Sequence, residues 1–191
     1  MAYQTYITEA LVCGSFDSKS SDKSFLLFAR EAGMIYAHAK SVREERSKQR
    51  YALQDCSHVR TTLIRGKSGW KIAGVEPITN LYAITETREA RAFLRDTLLL
   101  LRRVIHGETA YQNIFDDVLY ACTYAGKYPY MRLSQILALR ILHALGYIAP
   151  ASAYERFLHS EMPYEHIESL SEEEEKACTE AVAHALIQSQ L

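Results

Sequence analysis

Long apolar runs are missing from this 191-residue chain. Even the four leucines Leu98 to Leu101 stand between Asp96 and Arg102, far short of the ~20 apolar residues of a membrane helix, which excludes a helical span. Also absent is a cysteine framework: Cys13, Cys56, Cys122 and Cys178 stand singly with no C-x-x-C pair, the pattern of separate buried thiols rather than disulfides or a zinc site. The start, "MAYQTYITEA", carries neither a basic segment nor an apolar stretch before a small-residue cleavage site, so the cytoplasm is the expected location. Finally, no G-x-x-x-x-G-K-[ST] loop occurs. "RGKSGWK" packs its glycines too closely for one, so nucleotide hydrolysis is not expected.

What is present is a globular composition, 48% hydrophobic and 24% charged, sufficient to bury one ordinary core or two small ones. The formal charge of −1 conceals an uneven distribution. Residues 1 to 80 hold 12 Lys and Arg against 8 Asp and Glu, a balance of +4, and residues 81 to 191 hold 10 against 15, a balance of −5. Two modules are expected, the first suited to a polyanion.

Periodicity separates the same halves. "TYITEALVC", "SFLLFA", "MIYAHAK", "HVRTTLIR" and "WKIAGVEPI" are short runs rich in β-branched and aromatic residues, divided by Gly, Ser and Asp, and predict five strands. "GKSG", residues 66 to 69, predicts a hairpin between the fourth and fifth. Five short strands in about 75 residues predict a small barrel of the OB-fold type over residues 1–82. In the third strand Ile35, Ala37 and Ala39 point one way, and Met34, Tyr36, His38 and Lys40 the other, a face not expected in the core.

Residues 83–191 read as an α-helical bundle, so the fold class is α+β. Phe93, Leu94, Thr97, Leu98, Leu101, Val104 and Ile105 recur at helical spacing on a helix from Thr87 to His106, stopped by Gly107. A second helix begins at Asn113, with Asp116 and Asp117 near its positive end and Gly126 closing it. "RLSQILALRILHALGYI" is apolar nearly all round, as a central helix is, and ends at Gly146. The last helix opens on the capping box "SEEE", Ser171 to Glu174, and carries a small-residue stripe from Ala177 to Leu186.

The loop between the third and fourth strands is the strongest functional signal. From Lys40 to Arg50 it holds five cations, Lys40, Arg43, Arg46, Lys48 and Arg50, against Glu44 and Glu45. Single-stranded nucleic acid requires cations along its phosphates and aromatic faces for its bases. Tyr36, His38, Tyr51 and Trp70 offer the rings, and Arg65, Lys67 and Lys71 add charge around the hairpin. A solvated basic loop with Tyr36 and Trp70 in the core is the other reading of the same residues. Metal and acid–base chemistry find little support: "HGE" at 106–108 lacks a P-C-x-x-C partner, "HSEMPYEH" matches no standard ligand spacing and reads as a polar loop, and Asp116 and Asp117 suffice as helix N-terminal charges.

The stretch "LLFAREAGMIYAHAKSVREERSKQRYALQ", followed by "LIRGKSGWKIAGVEPI", resembles the N-terminal domain of the RecO family of bacterial recombination mediators. The matching positions are Arg30, Glu31, Gly33, Lys40, Ser47, Lys48, Arg50, Ala52, Leu53 and Gln54, and "LALRILHALGYIAP" resembles the family's central helix with its L-G-Y turn at Leu145, Gly146 and Tyr147. Two departures stand out. The zinc-binding cysteines that many members carry after that turn are absent from "ASAYERFLHSE", and the family's P-F after A-L-Q is Asp55-Cys56 here, as in a compact relative. The resemblance implies a nucleoid-associated, non-enzymatic mediator which binds single- and double-stranded DNA, anneals strands and assists recombinase loading, and with the zinc cysteines missing no metal or other cofactor is expected. It implies as partners a RecR-like protein and the acidic C-terminal tail of single-stranded DNA-binding protein. For that tail, Arg88, Arg91, Arg95 and Arg102, spaced along one helix face, and Arg140, a lone charge in the central helix, are the expected cations. The alternative is a protein-interaction adaptor of the repair machinery with weak or no DNA binding.

Overall fold

The computed structural model describes residues 4–17, 21–67 and 69–188. It is an α+β chain of five strands and, later in sequence, several helices, dividing into two compact units. The first comprises the residues up to Ile84 together with Ile105–Phe115, and the second comprises Thr85–Val104 with the residues from Asp116 onward. Eleven residues after the first long helix, Ile105–Phe115, thus belong with the strands.

In the first unit, β1 (Gln4–Asp17), β2 (Lys23–Ala29), β3 (Gly33–Ala39), β4 (Ser57–Gly66) and β5 (Gly69–Asn80) close in the order β1-β2-β3-β5-β4. Neighbours are antiparallel except β3 and β5, which run parallel at Ala37↔Trp70 and His38↔Lys71. β4 and β5 pair up to Gly66↔Gly69, with Gly69 at φ +101°; Ser68 of the expected turn lies outside the described residues. Val12, Phe25, Leu27, Ile35, Val59, Leu63, Trp70 and Ile72 fill the interior, alternating with outward residues as a pleat requires.

Residues 105–115 explain why part of the outer surface is also buried. Leu11 lies in register between Phe28 and His58, and Phe115 packs on this row, with ring centroids 5.5 Å from Phe28 and 5.8 Å from His58. Met34 donates its amide to Gly107 O at 3.0 Å and is buried, which corrects the expectation that its whole face is open. Gly33 has φ +68°, and a Cβ there would lie 2.3 Å from Thr109 O and 2.7 Å from Gly107 O. Only glycine permits this approach.

In the second unit, α4 (Tyr130–Ala144) is the hub that meets α2 (Arg88–Val104), α5 (Glu155–His159), a 3₁₀ helix (Pro163–Ser169) and α6 (Glu172–Gln188). It buries seven residues from Leu133 to Leu142, consistent with its nearly unbroken apolar surface. On α2 the buried stripe is Ala90, Phe93, Leu94, Thr97, Leu101 and Val104. The capping box forms in both directions: Glu174 N donates to Ser171 Oγ at 3.2 Å and Ser171 N to Glu174 Oε2 at 2.9 Å. α3 (Gln112–Cys122) ends before Gly126, because residues 123–125 continue as turns bonded to Tyr120, Ala121 and Cys122. Of the expected polar loop "HSEMPYEH", residues 159–166, the second half from Pro163 opens the 3₁₀ helix, in which Pro163, Tyr164 and Ile167 are buried.

Candidate nucleic-acid interface

The basic loop is an ordered arch with two apolar feet. Val42 and Leu53 are 1% and 5% exposed and belong to the barrel core. Ser41, at φ 52°, donates its amide to Asp22 Oδ1 at 2.8 Å, and Arg43 donates its own to Ser21 O at 3.1 Å. Turns at Glu44 and Ser47 lead into the single helical turn α1 (Gln49–Ala52). Lys40, Arg43, Arg46 and Lys48 are exposed on the arch. Of its two acids, Glu44 accepts from Arg46 Nε at 3.1 Å, and hydrogen bonds from Ser41 and then Arg46 hold its carboxyl below the usual range. Arg43 pairs with Asp17 at 3.7 Å, and Arg50 lies over the exposed Tyr51 ring, 4.7 Å from its centroid.

Beside the arch, strand register assembles a row that no sequence window displays. Phe16 of β1 is opposite Ser24 of β2, Ser24 opposite His38 of β3, and His38 in register with Lys71 of β5. His38 Nδ1 lies 2.7 Å from Ser24 Oγ. Next to the row Tyr36, 61% exposed, tilts against Phe16, 42% exposed, with ring centroids 5.9 Å apart. Phe16 was missed because it falls in the Gly, Ser and Asp segment after "TYITEALVC", and only the extension of β1 to Asp17 and its pairing with β2 set it beside Tyr36. Lys71 and Lys67 are exposed on the β4–β5 side.

One expected member of this surface is corrected. Trp70 is 5% exposed and packs edge-to-face on Tyr6 at 5.2 Å, so its ring is core and no base can stack on it. Arg65 lies over that indole, 5.1 Å from its centroid, and pairs with Glu108 through Nη1, with its side chain 52% exposed.

On the helical unit, Arg88, Arg91, Arg95 and Arg102 are exposed on α2. Arg91 donates to Thr85 O at 3.3 Å, and Arg95 to Asp96 Oδ1 at 2.8 Å, a bond that raises the Arg95 pKa further. Arg140 requires correction. It donates through Nε to Asp117 Oδ2 at 2.7 Å and through Nη1 to the carbonyls of Phe157, at 2.6 Å, and Leu158, at 3.1 Å. Its charge is spent inside the unit. Asp117, expected as a helix-end charge, is the partner that neutralises it and also accepts from Tyr164 Oη at 2.9 Å. Burial, with Asp117 beside it, pushes the Tyr164 hydroxyl well above its ordinary pKa.

Among the described residues no helix is long and apolar enough to cross a membrane, and no cluster of three or more His, Cys, Asp or Glu could hold a metal ion.

No family model matches the chain. Over 72 residues, 38% of its length, it is 39% identical to the DNA repair protein RecO of Desulfitobacterium hafniense strain DSM 10664 / DCB-2, and to the same degree to the RecO of strain Y51. The match covers 26% of those proteins, so the chain spans about a quarter of the length of the curated relatives it matches.

Proposed function

We propose that this chain is a DNA-binding mediator of recombinational repair, which binds and anneals single-stranded DNA and assists recombinase loading without catalysing a reaction. The observation that carries the reading is the row Phe16, Ser24, His38 and Lys71, flanked by Tyr36 and the cationic arch. It offers stacking faces next to phosphate ligands, the two elements a single strand requires. We read the five-stranded barrel as an OB-fold, in which oligonucleotides cross the second and third strands. The partial identity to proteins named for DNA repair is consistent with this use. Annealing needs binding alone, because a surface that neutralises the phosphates of two strands removes the repulsion opposing their pairing.

Duplex DNA, a RecR-like protein and the tail of single-stranded DNA-binding protein belong to the same proposal as partners, with Arg88, Arg91, Arg95 and Arg102 as the tail's exposed cations. Salt titration of binding to a labelled oligothymidylate tests it. Three phosphate contacts from the arch give a slope of log affinity against log salt near about −2, from ~−0.7 per contact. Neutralising Arg46, Lys48 and Arg50 together flattens it, and an unchanged slope would remove the arch from the account. The adaptor reading is favoured by one observation, the modest +4 balance of residues 1–80, and predicts no measurable single-strand binding at physiological salt.

A further inference from the structure

A hollow of about 290 Å³ opens beneath the arch, lined by Lys23, Phe25, Val42, Arg43, Arg50 and Leu53. Its floor is apolar and buried: Phe25, Val42 and Leu53 are 2%, 1% and 5% exposed. Three of its lining residues are cations, and Asp17 reaches two of them, Lys23 at 3.8 Å and Arg43 at 3.7 Å. Among the six lining residues there are three cations and no acid, so the lining itself is positive. The volume sits at the bottom of the ~300–1,000 Å³ range of small-molecule sites, room for one monomer and not for a folded segment.

The position relates the hollow to the aromatic row. Lys23 immediately precedes Ser24 on β2, so consecutive side chains point to opposite faces, one into the hollow and one into the row with Phe16 and His38. A strand lying along the row reaches the hollow by turning over the end of β2, of which Lys23 is the first residue.

Resting on the DNA-binding reading, we propose that this hollow takes one unstacked base of a bound single strand, with Lys23, Arg43 and Arg50 contacting its flanking phosphates. A duplex holds its bases in the stack and presents phosphates alone, so the hollow acts as a selector for single-stranded over double-stranded DNA. The charge argues for a polyanion and the apolar floor for a flat uncharged ring. Neither an ion nor an aliphatic chain alone satisfies both.

Methyl NMR of Val42 and Leu53 in the full chain tests this with three probes: an octathymidylate, an abasic octamer of equal charge, and an acidic peptide ending in an aromatic residue. The expected result is that the octathymidylate shifts both methyl groups and the abasic octamer does not. In parallel, Arg50→Ala lowers octathymidylate affinity about tenfold while duplex affinity changes less than twofold. Equal shifts with the abasic octamer would reduce the hollow to a phosphate cradle and overturn the inference. Methyl shifts with the peptide but not with the octathymidylate would assign it to a protein partner instead. Octathymidylate binding that leaves both methyls unmoved overturns the inference alone, and absence of any octathymidylate binding overturns the DNA reading with it.

Discussion

Arg140 and Asp117 form a largely buried ion pair, Nε to Oδ2 at 2.7 Å with side chains 18% and 13% exposed, through which α4, α3, the end of α5 and the 3₁₀ helix are tied together. The carboxylate has one oxygen on Arg140 and the other on Tyr164, and the guanidinium satisfies carbonyls that the end of α5 leaves open. Such a pair adds little net stability over a well-packed apolar substitute, but removing one member strands a buried charge. Arg140→Ala is expected to cost about 3–5 kcal/mol, read as a fall in denaturant midpoint, with single-strand binding intact well below the transition. A near-neutral result would show that water reaches Asp117.

Gly33→Ala addresses the close approach of residues 105–115 to the β2–β3 turn. The positive φ costs about 1–3 kcal/mol by itself, and the 2.3 Å contact with Thr109 O cannot be relieved by a flexible side chain because the neighbour is backbone. The expected outcome is loss of thermal stability accompanied by faster proteolysis within residues 105–115. Stability loss without new cleavage would mean that the strain is absorbed within the turn.

The aromatic residues of the barrel separate into two groups by exposure. Phe16→Ala and Tyr36→Ala are each expected to weaken single-strand binding by about 1–3 kcal/mol if each stacks one base, with little change in melting temperature. Trp70→Ala is expected to do the reverse, costing about 3–5 kcal/mol of stability because it opens a cavity in the core. Full-strength binding by the Phe16→Ala, Tyr36→Ala double variant would discard the row as the interface.

Burial pushes the Cys56 thiol from its ordinary 9.0 to about 11, with Asp55 adding to the shift, and burial together with Glu174 and Glu175 does the same for Cys178. A thiol whose pKa is higher in the folded state holds its proton more tightly there. The stabilisation is therefore present below about pH 9 and lost as pH rises toward 11. Alkylation at pH 8 is expected to be roughly 100-fold slower at these two cysteines than in the unfolded chain, since two units remove about that fraction of thiolate. Equal rates would show that the sites open readily.

The division into strands and helices was legible in the sequence because it rests on local periodicity. Two-residue alternation in "MIYAHAK" and the 3.6-residue stripe of α2 are properties of consecutive side chains, and the Ser171–Glu174 capping box lies within four residues. The arch was equally visible, since its cations are neighbours in the chain. What a charge or a ring does is a different matter, because it depends on residues far away in sequence. Arg140 appeared as a lone cation on an apolar helix and became internal only through Asp117, 23 residues earlier, and Trp70 became core because Tyr6 and Arg65 enclose it. The same limit hid Phe16, whose exposure depends on pairing with β2, and the service of residues 105–115 to the barrel, which follows from Phe115 covering Phe28 and His58. Side-chain period follows from backbone geometry within one element, whereas burial and charge compensation are decided by contacts between elements, and those only the tertiary structure supplies.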